Sequence, residues 1–100
     1  MENKVKCYNA GKISGLSFLK AWNKFDKYDK LIQEMGMIPV NPMKDGLKVS
    51  RPWWMHMLYD LSLLVRSQCV VFHPDWEKSK GATIEFKVAK LLRKKIILIS

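Results

Sequence analysis

Cys69-Val70-Val71-Phe72 is the stretch on which the fold turns. Four apolar residues without polar alternation suit a strand covered on both faces, and such strands belong to parallel sheets flanked by helices. Outward from it, helical periodicity returns on both sides. Before it, Trp54, Met57, Leu58, Leu61, Leu64 and Val65 recur at helical spacing, with Arg66 placed at the negative end of that helix. After it, the loop His73 to Lys80 leads into a helix with Ile84, Val88, Leu91 and Leu92 as its inner face. Arg93-Lys94-Lys95 closes that helix, and Ile96 to Ile99 reads as the last strand.

Towards the start of the chain the alternation repeats. Val5 to Tyr8 reads as a first strand, followed by the turn Asn9 to Gly15. Phe18, Trp22, Phe25, Tyr28, Ile32 and Met35 mark an amphipathic helix that Gly36 can stop in a left-handed conformation. Met37 to Val40 reads as a second strand closed by Asn41-Pro42, and a polar loop runs from Met43 to Pro52. The order βαβαβαβ predicts an α/β fold: a small Rossmann/flavodoxin-like three-layer sandwich, with a four-stranded parallel sheet and three helices, in one domain over residues 1–100. Such sheets bind ligands beyond the carboxyl ends of their strands, where strand order reverses. That rule selects the turn after Tyr8, the loop after Val40 and the loop after Phe72.

Composition narrows the partners. With 48% apolar and 27% charged residues a folded core is expected. Eighteen Lys+Arg against nine Asp+Glu give a formal charge of +9, which favours nucleotide phosphate, nucleic acid or a membrane surface as partner. No apolar run is long enough to span a bilayer and the start lacks a secretory apolar stretch, so a cytoplasmic protein is expected. Cys7 and Cys69 sit in apolar segments without metal-ligand spacing and read as small core residues rather than a disulfide. His56 and His73 stand alone, so no metal site is expected. Lys44, Lys48 and Arg51 read as a solvated basic rim, and Trp53 and Trp54 as packing residues.

Three constellations could carry chemistry. Ala10-Gly11-Lys12-Ile13-Ser14-Gly15 offers close backbone approach, a hydroxyl and a cation, but it fits neither a Walker A loop nor GxGxxG. Phosphate or sugar binding and a plain βα turn both stay open for it. Ser79 can cap the third helix, leaving free N–H groups around Gly81 as an anion cradle. Glu85 lies about one turn into that helix, where the dipole would keep it ionised as a nucleophile. The plainer alternative is a cap and a favourable charge. Asp60 sits beside the apolar stripe of the second helix, either solvated at its margin or aimed at a site.

Taken together, these segments resemble a family. Tyr8-Asn9-Ala10-Gly11-Lys12-Ile13-Ser14-Gly15 is similar to the opening motif of nucleoside 2-deoxyribosyltransferase-like proteins, and most of all to the DUF4406 subgroup common in phages and bacteria. The similarity continues through Val40-Asn41-Pro42, Met57 to Leu61 and Pro74 to Glu85. The resemblance implies a nucleotide N-glycosidase or 2-deoxyribosyltransferase-like enzyme, cleaving the base–sugar bond of a (deoxy)nucleoside monophosphate. It implies Glu85 as nucleophile, Asp60 positioning or protonating the ligand, and Tyr8 orienting Glu85. Ala10, Gly11, Lys12, Ser14, Gly15, Asn41, Asp75, Ser79 and Gly81 are then the expected substrate contacts. Ser79 occupies the place, six residues before the glutamate, where deoxyribosyltransferases carry an Asp. A serine there is similar to the nucleotide-hydrolysing branch, where it contacts the 5′-phosphate. Lys12 departs from the usual proline of the opening motif.

No cofactor is expected. The expected partners are a nucleoside monophosphate and a second copy of the chain, since related enzymes complete their sites across a dimer interface and the last strand would leave an apolar edge. No membrane is expected, and nucleic acid is disfavoured because no helix-turn-helix, zinc-finger or RNA-recognition signature accompanies the charge. The alternative is a non-catalytic nucleotide or nucleotide-signal binder on the same scaffold.

Overall fold

The computed structural model describes residues 4–44 and 52–100. The elements follow in the order β1 (Lys6–Ala10), α1 (Phe18–Glu34), β2 (Ile38–Val40), α2 (Trp53–Val65), β3 (Cys69–Phe72), α3 (Lys80–Leu91) and β4 (Lys95–Leu98). A single 3-10 turn, Trp76–Lys78, lies between β3 and α3. All three strand pairings are parallel and the sheet order is β2-β1-β3-β4. The predicted α/β architecture is therefore what forms.

Strand pleating separates two cores. Tyr8, Ala10, Val70 and Phe72 point to the face covered by α2 and α3, where Leu63, Leu64 and Ala89 meet them. Cys7, Cys69 and Val71 point the other way, against Ile32 of α1. All four β3 residues are buried, which is why no polar alternation appears in that stretch. Cys7 and Cys69 are free, buried and opposite one another in the β1–β3 register.

The helix boundaries have local causes. Ser17 accepts the Lys20 N–H at 3.2 Å to start α1, and Gly36 at φ 82° ends it. Ser79 accepts the Ala82 N–H at 3.1 Å to start α3, as its position implied. Arg66 is the C-terminal cap residue of α2.

Several expectations need correction. β1 continues through Asn9 and Ala10, which pair with Val71 and Phe72, so the turn begins two residues later than the apolar pattern implied. The expected stripe of α2 is rotated: Trp54 is 59%, Leu58 60% and Val65 52% exposed, while Met57, Leu63 and Leu64 are buried. On α3, Leu91 is 81% and Leu92 45% exposed. Its buried residues are Ala82, Glu85 and Ala89, because two alanines let the helix approach the sheet closely. Trp53 is likewise only half-buried, at 45% exposure. Lys48 and Arg51 lie outside the described residues.

Gly11 owes its place to space rather than to backbone conformation. A Cβ there would stand 2.0 Å from His73 Nδ1, and the ring cannot yield. Tyr28 stacks on it at a centroid distance of 4.1 Å and Phe25 meets it edge-on at 4.5 Å. Gly11→Ala is therefore expected to destabilise the fold by roughly 3 kcal/mol through overpacking, read as a lower urea midpoint. An unchanged midpoint would show that the two loops part easily.

Candidate functional site

Strand order reverses between β1 and β3, so the chain leaves their carboxyl ends in opposite directions and opens a crevice. A pocket of about 700 Å³ lies there, within the size range of small-molecule sites. Tyr8, Gly11, Ser14, Asp60, Ser79, Gly81 and Glu85 all line it, so seven of the expected site residues come together. The remaining expected residues lie elsewhere. Ala10 is buried in the core and Gly15, at φ 83°, turns the chain outside the pocket lining. Asn41 donates from Nδ2 to Asp29 Oδ2 at 2.9 Å. Asp75 pairs with Lys24 Nζ at 2.7 Å and accepts the Lys12 backbone N–H at 3.2 Å. Asp75 and Lys12 thus clamp the loops leaving β3 and β1 to each other.

At the inner end, the Tyr8 hydroxyl donates to Glu85 Oε2. Tyr8 is 1% and Glu85 4% exposed. The expectation that Glu85 stands ionised in the first helical turn is overturned. Glu85 is the sixth residue of α3, and the first turn holds no acid. Burial pushes its pKa up to about 8, with the nearby Asp60 adding to the rise and the Tyr8 hydrogen bond opposing it. Asp60 is itself pushed up to about 7 by desolvation. The helix dipole fades beyond the first turn and does not offset that burial. At neutral pH the pocket therefore holds two acids that share protons with solvent rather than one bare anion.

Sequence reasoning missed other parts of the lining. Trp53, His56 and Met57 share one face of α2 with the expected Asp60, at spacings of three and four, and all four line the pocket. Phe18 and Met43 add further apolar wall. The helical spacing could have found the α2 group. Lys80 Nζ lies 5.0 Å from the Trp53 ring centroid, joining the start of α3 to that wall.

A second polar layer lies on the α1 side of β1. Asn9 donates from Nδ2 to Asp29 Oδ1 at 2.8 Å and to the Phe25 carbonyl at 2.9 Å, and its Oδ1 meets His73 Nε2. With the Asn9 nitrogen committed as donor, His73 Nε2 must carry the hydrogen. His73 Nδ1 is then a buried lone pair with no partner among the described residues. Burial, reinforced by the Lys24 charge, pulls the His73 pKa down to about 3, so the ring stays neutral. Lys44 Nζ closes the network at 3.2 Å from Asp29 Oδ2 and 2.8 Å from Asp26 Oδ1. Asp29 thereby connects the end of β1 to the loop carrying Met43, another pocket wall.

The fold and the site together define a parallel α/β domain with a paired-acid pocket at its switch point. Residues 5–98 match the family described as Domain of unknown function (DUF4406), and the chain belongs to that family. Among curated proteins no significant match is found.

The two raised acids make stability fall as pH rises. Folded Glu85 and Asp60 hold protons up to about 8 and about 7, whereas the reference values are 4.5 and 3.8. Their contribution is complete below the lower pair of values and is lost through the upper pair. His73 works the opposite way, but only below its ordinary value of 6.5. Glu85→Gln is expected to gain stability over wild type by on the order of 1 kcal/mol per pH unit up to about pH 8. Urea melts across that window test it, and parallel wild-type and variant curves would show that Glu85 is not the source.

Proposed function

We propose that the protein is a nucleotide N-glycosidase or 2-deoxyribosyltransferase-like enzyme that breaks the base–sugar bond of a (deoxy)nucleoside monophosphate, with Glu85 as nucleophile. The observation that carries this reading is the Tyr8–Glu85 hydrogen bond inside a pocket that also contains Asp60, Ser79 and the Gly11 turn. The Tyr8 hydroxyl holds Oε2, and the other carboxylate oxygen attacks C1′. The C1′–N bond breaks, its electron pair stays on the base nitrogen, and Asp60 supplies the proton. Water, or a second base, then displaces the sugar from Glu85.

The apolar surroundings that keep Glu85 protonated at rest also make its anion a strong partner for the positive charge developing at C1′. On this reading the ligand phosphate sits at the start of α3, which Ser79 caps and where Lys80 Nζ lies over the Trp53 ring of the pocket wall. Trp53 and Phe18 provide apolar surface for the base or sugar. A dimer built on the exposed α2 residues Trp54, Met55 and Leu58 would bring a second chain beside this pocket. Sedimentation of wild type against Leu58→Lys measures that association, and equal masses would exclude the α2 face.

The resting protonation of Glu85 favours the second reading, a binder without turnover. Glu85→Gln separates the two. On the enzymatic reading, base release from a nucleotide panel falls by roughly ten-thousandfold or more. Nucleotide binding without base release by the wild type, with affinity nearly intact in Glu85→Gln, would leave binding alone.

Catalysis needs Glu85 ionised and Asp60 protonated, so base release should follow a bell-shaped pH profile with its optimum between the values of about 7 and about 8. Asp60→Asn is expected to slow release by roughly a hundredfold and to remove the alkaline limb. The remaining acid limb then reports Glu85 alone and does not fall below the acid limb of the wild type, where Asp60 shares the first ionisation. Persistence of the alkaline limb would exclude Asp60 as the acid.

A further inference from the structure

The end of the domain opposite the pocket carries cations that make no ion pair among the described residues. It is built from the amino ends of β1, β3 and β4 and the carboxyl ends of α2 and α3. Lys6 opens β1 and Lys95 opens β4, and Gln68 links them: its N–H donates to the Lys6 carbonyl at 3.0 Å and its carbonyl accepts the Lys95 N–H at 3.2 Å. Arg66 ends α2, and Arg93, at φ 58°, turns the chain between α3 and β4. Lys94 Nζ donates to the Val65 carbonyl at 2.9 Å, tying that turn to the end of α2. Among the described residues the ion pairs use Lys24, Lys30 and Lys44, and none uses Lys4, Lys6, Arg66, Arg93 or Lys95. Glu34 closes α1, on the sheet face that Lys95 shares through its register with Cys69, and no ion pair joins the two.

The same end exposes aliphatic side chains: Leu91 at 81%, Val65 at 52%, Leu92 at 45% and Val5 at 41%. Favourable interaction with helix dipoles accounts for Arg66 and Lys94. It accounts neither for Lys6 and Lys95 at strand starts nor for a leucine left almost wholly in water. A second copy of the chain would set like charges against each other. Nucleic acid would satisfy the charge, but the cluster has no aromatic ring on which a base could stack, and its aliphatic groups would gain nothing from phosphates.

An anionic bilayer surface satisfies both the cations and the leucines. We infer that the amino end of the sheet docks on anionic lipid, with Lys6, Arg66, Arg93 and Lys95 on the headgroups and Leu91 and Leu92 entering the acyl boundary. No described helix is long and apolar enough to cross a membrane, and adsorption of this kind needs none. The expectation of no membrane partner rested on the lack of a spanning segment. Docked this way, the pocket at the opposite end of the strands faces the aqueous side.

Cosedimentation of the full chain with phosphatidylserine-containing vesicles, against pure phosphatidylcholine vesicles, tests the inference. Binding is expected to the anionic vesicles alone and to weaken as salt rises. Charge reversal at Arg66, Arg93 and Lys95 to Glu should lower the partition coefficient by roughly a hundredfold or more. Leu91→Ser, which keeps the charge and the exposed position, should lower it by roughly three- to tenfold. Circular dichroism confirms that each variant folds. Equal binding to both vesicle types, or none to the anionic ones at low salt, would overturn the inference. So would charge reversal without effect. An oligonucleotide that binds more tightly than the vesicles, with Leu91→Ser indifferent, would replace the lipid surface by nucleic acid.

Discussion

The hydrogen bond from Tyr8 to Glu85 joins the central strand β1 to α3 across the crevice, and both residues are nearly sealed from water. Either group alone would be a buried polar atom without a partner, at a cost of about 1–3 kcal/mol. Together they let a carboxyl sit on the inner face of α3 between Ala82 and Ala89, where a helix would ordinarily place only apolar residues. The consequence runs outward from that placement. Desolvation raises the proton affinity of Glu85, the neighbouring Asp60 raises it further, and the pocket becomes a place where two carboxyls exchange protons near neutrality. A hydrogen bond that satisfies two buried groups thus also sets the chemistry available at the site.

β1 distributes polarity to both of its faces. Tyr8 points towards α2 and α3, and Asn9, one residue on, points towards α1. Asn9 has all its polar atoms engaged, by Asp29, the Phe25 carbonyl and His73. Asp29 is in turn held by Asn41 and Lys44. The pocket is therefore bounded by two polar systems, one facing the ligand space and one beneath the turn that frames it. His73, packed against Gly11 and stacked on Tyr28, fills the junction where the loops leaving β1 and β3 come together before diverging. On the proposed reading, a rigid backing of this kind would hold the acid within the tolerance that bond cleavage demands.

The element order was legible in the sequence because the unbroken apolar run of β3 and the Ser79 and Gly36 boundary signals each have one local explanation. The switch-point rule then located the crevice without any chemical motif. Helix faces were less legible. On α2 Trp54 and Leu58 are exposed while Met57, Leu63 and Leu64 are buried, and on α3 Leu91 is exposed while Ala82, Glu85 and Ala89 are buried. Apolar spacing alone therefore does not settle which side of either helix faces the sheet. The ionisation of Glu85 was not legible either, since it depends on how deeply the surrounding chain buries it. Asn41 and Asp75 carry the right chemistry for a ligand, but each is taken up by a partner distant in sequence, Asp29 and Lys24.

The chain's charge and the pocket's charge have to be considered separately. A formal charge of +9 produces a positive field that draws anions towards the domain from several directions. Inside the pocket, burial outweighs that field, since the acids are raised rather than lowered by their surroundings. An anionic ligand therefore meets attraction on approach and no full carboxylate charge to repel it on arrival. The cations that could hold its phosphate stand at the rim, where Lys80 leans on Trp53 beside the open end of α3. On the proposed reading, binding and chemistry are thus divided between a wet cationic rim and a dry acidic interior. Placing the phosphate at the rim directs the sugar inward, so that C1′ comes to lie against the carboxyl that Tyr8 holds.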